Sequence, residues 1–246
     1  MKIATWNVAY ARGKKANQRR RAVLDEVNAD VWILTETHAD LAPGNGYTPF
    51  SSQERINIVN RSVVSGSSWV TIWARDALRP RRLQVTDEMR TAACSLETNR
   101  GPFWAFGTVL PWYTDRERDS VAVEVVRQRK DWLRFRSEIG PLGCVAGDFN
   151  VDLGGGRHYY GSKESKLAVQ DSLDALDLVA VTDFRHTKSV QTNYGLIDHI
   201  AVSSSISSLG HPPHIWAKTD EQGEYLSDHQ GVAVDLRFND SRQSAA

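Results

Sequence analysis

An α/β fold, two packed β-sheets with helices on their outer sides, is what this sequence predicts. Three observations predict it. Short runs rich in Val, Ile, Thr, Trp and Phe, bounded by Gly, Pro, Asn or Asp, recur along the whole length. Three segments between them carry helical periodicity. No Pro/Ser linker and no repeat of fixed period divides the chain. Strands therefore outnumber helices. Strict βαβ alternation, in which each parallel strand needs a crossover helix, does not fit that ratio. Two sheets packed face to face, mainly antiparallel and flanked by helices, do. The 246 residues suffice for one large domain with a well-buried core.

The elements follow in order. Residues 2–6 form a first strand ending at Asn7. After a basic entry, Val23, Leu24 and Val27 fall on one face of a helix over 16–28. Residues 31–35 read as a buried strand ending at Glu36. Residues 39–68, with Pro43-Gly44-Asn45-Gly46 and Ser65-Gly66-Ser67-Ser68, read as a long loop. Strands follow at 69–74, 92–96 and 103–109. Val121, Val125, Trp132 and Leu133 give a helix over 120–138 its apolar face. The strand 143–147 leads into Gly147-Asp148-Phe149-Asn150, and a second loop covers 152–163. Val169, Leu173 and Leu176 mark a helix over 164–177. Strands at 178–182, 197–202 and 231–237 complete one domain over residues 1–239. Residues 240–246, small and polar, read as a flexible tail.

Composition narrows the function classes. Lys+Arg and Asp+Glu are equal at 30 each, so the net charge is zero. That argues against coating nucleic acid by bulk charge and leaves room for a local basic cleft. Cys94 and Cys144 lie in apolar runs and read as buried free thiols, which suits a reducing compartment, the cytoplasm. No signal-peptide pattern opens the sequence, and no run is long enough to span a membrane.

Polar residues cluster at the tips of apolar runs: Asn7, Glu36, Asp148 and Asn150, Asp198, and Ser227-Asp228-His229. Groups at the tips of several strands converge on one site. The set consists of carboxylates, amides and one histidine, without a cysteine or serine nucleophile motif. It suits an oxygen-ligated divalent cation and a phosphate ester. If the segment stays extended, alternation puts Asp148 and Asn150 on one face and turns Phe149 into the core. An acid such as Asp198 inside a strand is costly unless paired, and His229 is a candidate partner that it would orient. Trp112, Tyr113, Arg116 and Arg118 follow the strand 103–109 and could form a stacking and phosphate-binding wall, or equally a solvated helix entry. Arg127, Arg129, Lys130, Arg134 and Arg136 read as an exposed basic helix face, partly paired with Glu124, Asp131 and Glu138.

Taken together, Thr5-Trp6-Asn7-Val8, Thr35-Glu36-Thr37, Gly147-Asp148-Phe149-Asn150, Leu196-Ile197-Asp198-His199 and Ser227-Asp228-His229 resemble the endonuclease/exonuclease/phosphatase superfamily, the group with the deoxyribonuclease-I-like fold. The motifs occur in the family's order and span residues 5 to 229. The resemblance implies a four-layer sandwich and hydrolysis of phosphate esters with Mg²⁺ or Mn²⁺. It implies metal ligation by Glu36 with Asn7 and Asp228, placement of the attacking water by Asp148 and Asn150, and an Asp198–His229 dyad. Trp112, Tyr113 and Arg116 are the expected substrate contacts. The expected substrate is nucleic acid. A phosphomonoesterase or small-phosphodiester hydrolase is the first alternative, and a non-catalytic binding module the second. The pattern departs at Val109-Leu110, where many relatives carry His or Tyr, at Ala9, where some carry an acid, and at His38, where some carry Lys.

Overall fold

The computed structural model describes the chain except residues 58, 116–117, 155–159, 188–194, 208 and 238–246, and describes Lys14 by its backbone only. The strands are β1 (Lys2–Asn7), β2 (Val31–His38), β3 (Tyr47–Ser51), β4 (Glu54–Ile56), β5 (Val63–Arg75), β6 (Arg81–Leu83), β7 (Thr91–Thr98), β8 (Gly101–Val109), β9 (Gly143–Asp148), β10 (Leu178–Ala180), β11 (Asp198–Ser203), β12 (His214–Trp216) and β13 (Gly231–Asp235). The helices are α1 (Lys14–Val27), α2 (Val121–Glu138), α3 (Lys163–Asp174) and the short α4 (Phe184–Thr187). The first sheet runs β12-β13-β1-β2-β5-β3, with β4 also on β5; the second runs β10-β11-β9-β8-β7-β6. The β1–β2 and β8–β9 pairs are parallel and the others antiparallel.

Period-2 alternation builds the layers, because both faces of each sheet are covered. In β1 and β2, Ile3, Val31 and Ile33 point into the core between the sheets. Ala4, Trp6, Trp32 and Leu34 point the other way and pack with Leu24 and Val27 of α1. In β8 and β9, Phe103, Ala105, Cys144 and Ala146 face the seam between the sheets. Trp104, Phe106 and Val145 face Trp132, Phe135 and Leu173 of α2 and α3. The four layers are thus α1, sheet, sheet, and α2 with α3. Ser120 and Ser162 start α2 and α3 by accepting from the Val123 and Ser165 N–H groups.

Several sequence expectations need correction. The stretch 39–68 is not one loop: it contains β3, β4 and the first half of β5. Its Gly and Ser residues mark a polar edge of the sheet, where the alternation signal is weak. The three-residue β6 and β12 and the single-turn α4 are too short to carry a period. Leu133 is 46 % exposed, so Val125, Trp132 and Phe135 supply the apolar face of α2 instead. The expected tail 240–246 lies outside the described residues. Cys94 and Cys144 are buried free thiols, and burial pushes Cys144 up to about 12.

Candidate active site

Strand parity carries the acids into the seam. Asp148 continues the Cys144–Ala146 face of β9, and Asp198 continues the Val202–Ile200 face of β11. Asn7 continues the Ile3–Thr5 face of β1. All three therefore end on inner faces, at one edge of the sandwich, and all are buried. The β9–β11 register sets Asp198 opposite Asp148. The Asn7 amide nitrogen spans the two sheets, donating to Glu36 Oε1 at 3.1 Å and to Asp148 Oδ2 at 3.2 Å. Its oxygen accepts from the Ala9 N–H at 3.0 Å.

Glu36 reaches this point by breaking the alternation. Regular parity would send it to the α1 side with Trp32 and Leu34. Instead it has φ 50°. The ladder to β5 skips it between the Thr35–Val70 and Thr37–Ser68 pairs. Its carbonyl accepts from the Tyr10 N–H, at 2.6 Å. Beyond it, Thr37 bonds Thr71 on the outward face, so the face has switched by one residue. A left-handed Glu costs about 1–2 kcal/mol, and it delivers a half-buried carboxylate to Asn7. Gly147 has a related role. It has φ 135°, and a Cβ there would lie 2.0 Å from the Thr108 carbonyl oxygen, so only glycine lets β9 bend into Asp148.

The segment is not extended as far as Asn150. Asn150 has φ 50°, and its N–H donates to Asp148 Oδ1 at 3.0 Å, an Asx turn. Its side-chain amide donates to the Leu110 carbonyl at 2.8 Å. Phe149 is buried, as alternation requires, and packs against His199.

His229 comes in from the loop before β13. Its Nδ1 lies 2.6 Å from Asp198 Oδ2, and its backbone N–H and carbonyl are held by Ser227 and Trp6. Burial alone would lower the imidazole. The Asp198 carboxylate overrides it, with help from Asp148 and Asp228, and the ring is pushed up to about 10. Asp148 is driven up to about 7 by burial and by Asp198, against the pull of His229 and the Asn150 N–H. Atoms of Asp148, Asp198 and His229 all lie within 4.8 Å of one another. Asp228 is exposed at the rim; its oxygen is 3.4 Å from the Ser227 hydroxyl.

Two cavities flank the cluster. One of about 440 Å³ is lined by Asp198, Asp228 and His229 with Tyr160, Lys218 and Gln230. The other, of about 670 Å³, is lined by Asn150, Trp112, Tyr113, Asp115, Arg118 and Tyr160. Tyr160 lines both, and sequence reading missed it because it follows a glycine-rich stretch. Trp112 lines the larger cavity half-buried, its ring packed on Trp69 with centroids 5.7 Å apart and the Arg90 guanidinium 5.0 Å from it. Tyr113 is fully exposed. Arg116 lies outside the described residues. On α2, Arg127 pairs with Asp119 and Glu124, and Arg134 with Asp131.

Four carboxylates, Glu36, Asp148, Asp198 and Asp228, thus gather around one imidazolium. Among the described residues neither Glu36 nor Asp228 makes an ion pair, and Asp198 Oδ1 is buried without a hydrogen-bond partner. Excess negative charge on hard oxygen donors fits a divalent cation.

The sequence pattern of the Endonuclease/Exonuclease/phosphatase family matches residues 4–229. No curated protein sequence matches the chain. Among solved structures, an AP endonuclease from Leishmania major is similar with a TM-score of 0.71 at 17% identity, over 97% of this chain and 88% of that one. The human Nocturnin catalytic domain is similar with a TM-score of 0.67 at 14% identity, over 97% and 94%. An AP endonuclease from Archaeoglobus fulgidus is similar with a TM-score of 0.64 at 15% identity, over 97% and 100%. The chain belongs to the endonuclease/exonuclease/phosphatase family, whose members are phosphoric ester hydrolases.

Proposed function

We propose that this protein is a Mg²⁺- or Mn²⁺-dependent phosphodiesterase that cuts nucleic acid. The observation that carries this reading is the Asp198–His229 pair, closed across the two sheets and set against Asp148. The names of the similar structures, two of them AP endonucleases, favour nucleic acid over small esters. Residues 1–239 act as one catalytic domain. The buried free thiols favour the cytoplasm, and among the described residues no helix is long and apolar enough to cross a membrane.

Glu36 and Asp228 would hold the cation, with Asn7 fixing the Glu36 carboxylate from behind. When bound, the ion supplies charge neutralisation and Lewis-acid polarisation of the phosphate. The protein's own groups do the rest. Asp148, with its affinity for a proton raised close to neutrality, accepts a proton from the attacking water. The Asn150 amide lies beside it, at the wall of the larger cavity, in reach of a phosphate oxygen. His229, kept as an imidazolium by Asp198, donates a hydrogen bond to the oxygen on which charge builds. With Val109-Leu110 where the resemblance implies His or Tyr, leaving-group contacts fall to Tyr113, which lines the larger cavity, and to Arg116.

The test is a hydrolysis panel of single- and double-stranded DNA, RNA, a monoester and small phosphodiesters, with Mg²⁺, Mn²⁺ or chelator. Metal-dependent cleavage of a nucleic acid is expected. Turnover of the small esters alone moves the assignment to a small-phosphoester hydrolase. No turnover of any ester under any metal leaves a binding module of the same fold.

A further inference from the structure

The two cavities beside the catalytic cluster meet at one side chain. The smaller, of about 440 Å³, reaches the cluster at Asp198 and His229. The larger, of about 670 Å³, reaches it at Asn150. Among the described residues Tyr160 alone lines both. Lys218 stands in the wall of the first, and Trp112 and Tyr113 stand in the wall of the second. By the usual size of small-molecule sites, about 300–1,000 Å³, each has room for one organic arm of an ester.

The backbone fixes Tyr160 at that junction. Its carbonyl accepts from the Asp152 N–H at 3.1 Å, which ties it to the segment that leaves the Asn150 turn. Gly161 follows with φ 82°, and a Cβ there would lie 2.6 Å from Val151 Cγ1, so glycine lets the chain lie against Val151. Ser162 then caps α3. The Tyr160 side chain is half-buried, and among the described residues its hydroxyl has no hydrogen-bond partner. Burial, with the Asp148 charge, holds the phenol above its usual value, so it is a neutral O–H donor at working pH. A fixed O–H donor beside Asn150 and His229 suits a phosphate oxygen. A flat ring between two cavities suits the space between the two arms of one ester.

We propose that Tyr160 contacts the substrate: its ring parts the two nucleoside arms of an internal phosphodiester, one in each cavity, and its hydroxyl donates a hydrogen bond to the phosphate between them. This rests on the nuclease reading given above. It makes a diester with two nucleosides the preferred substrate over one with a single nucleoside.

The experiment measures kcat/KM for wild type, Tyr160→Phe and Tyr160→Ala on three diesters: a dinucleotide, and its two truncations in which a methyl group replaces either nucleoside. Wild type is expected to prefer the dinucleotide over both truncations. Tyr160→Phe keeps the ring and should lower kcat/KM by a similar factor on all three, about tenfold, the size of one hydrogen bond to a charged group. Tyr160→Ala, confirmed folded by its melting curve, should fall further and bring the three substrates closer together. Tyr160→Phe within twofold of wild type on every diester would overturn the hydroxyl contact. A wild type that cuts a truncated diester as well as the dinucleotide would overturn the placement of the arms. A separate arm does not depend on turnover: calorimetric titration of the three proteins with the dinucleotide in Ca²⁺. If no diester is cut but Tyr160→Ala binds the dinucleotide at least severalfold more weakly than wild type, the nuclease reading fails and Tyr160 stands as a ligand contact. If no diester is cut and binding is equal in all three, or absent from all three, the Tyr160 proposal fails as well.

Discussion

Asp198-His199 and Asp228-His229 are the same dipeptide at two strand ends, used in opposite ways. In the first, the acid faces the seam between the sheets, and the histidine faces the outer core against Phe149. In the second, the acid is at the exposed rim and the histidine faces the seam. The pair that closes the site takes the acid of one and the imidazole of the other. His199 bonds Thr182 through Nδ1 and the Val151 carbonyl through Nε2. Burial lowers it to about 4, whereas Asp198 lifts His229 to about 10. Burial that outweighs the pull of Asp198 and Asp183, with no carboxylate bonded to the ring, gives a neutral imidazole that packs; burial with a carboxylate bonded to the ring gives a cation that can act. Strand parity on β11 decides it for Asp198-His199; for Asp228-His229 the loop before β13 decides it, held by Ser227 and Trp6.

The largest expected effect breaks the second half of that comparison. His229→Ala should lower kcat by on the order of 10²–10⁴, the usual worth of a positioned proton donor. Asp198→Asn should approach it, with kcat falling more than KM rises, because an orienting acid acts in the transition state. Steady-state kinetics on a cleaved oligonucleotide checks both. A KM effect alone would show that the dyad only binds substrate. Next comes Glu36→Gln, an isosteric change. It should raise the Mg²⁺ concentration for half-maximal rate by roughly 10–100-fold, a range that even residues one contact removed from a metal reach, while circular dichroism stays unchanged. An unshifted Mg²⁺ curve would remove Glu36 from the ligand set.

How much of this could be read beforehand follows from the same parity. Asn7, Asp148 and Asp198 lie on regular strands, so their convergence was legible. Glu36 was legible as a strand-end acid, but its inward turn was not, because a left-handed residue without glycine leaves no sequence mark. The Asp148–Asn150 face was misread since the chain turns left-handed at Asn150, in an Asx turn on Asp148, rather than staying extended. Trp112 was legible as part of a wall, and it lines the larger cavity half-buried; its packing on Trp69 and Arg90, forty and twenty residues away in sequence or more, is what no local pattern reports. The edge strands β3 and β4 were hidden by their serines and glycines.

Smaller effects sharpen the first half of the comparison. His199 lies below its free value of 6.5, so folding favours the neutral ring. Its contribution is whole above about pH 6.5 and is lost as pH falls toward 4, about 3 kcal/mol over that window. His229 has the opposite sign: what it adds is present below pH 6.5 and lost as pH rises toward 10. Denaturant titrations should show His199→Gln flattening the acid limb and costing about 1–3 kcal/mol near neutrality from its broken bonds. An acid limb identical to wild type would contradict the buried neutral ring. The smallest expected effect is ionic. With zero net charge, the salt dependence of substrate binding should correspond to only two or three neutralised phosphates. A slope much steeper than that would reveal a wider basic track.

The most direct test sets the two histidines against each other in one assay. Mg²⁺-dependent cleavage of a phosphodiester near neutral pH is measured for wild type, His229→Ala and His199→Gln, each confirmed folded. His229→Ala is expected to lose at least a hundredfold in kcat while still folded at the assay temperature. His199→Gln should melt earlier and keep its kcat within severalfold of wild type. A folded His229→Ala that cleaves like wild type would contradict the account, as would a folded His199→Gln that is inactive.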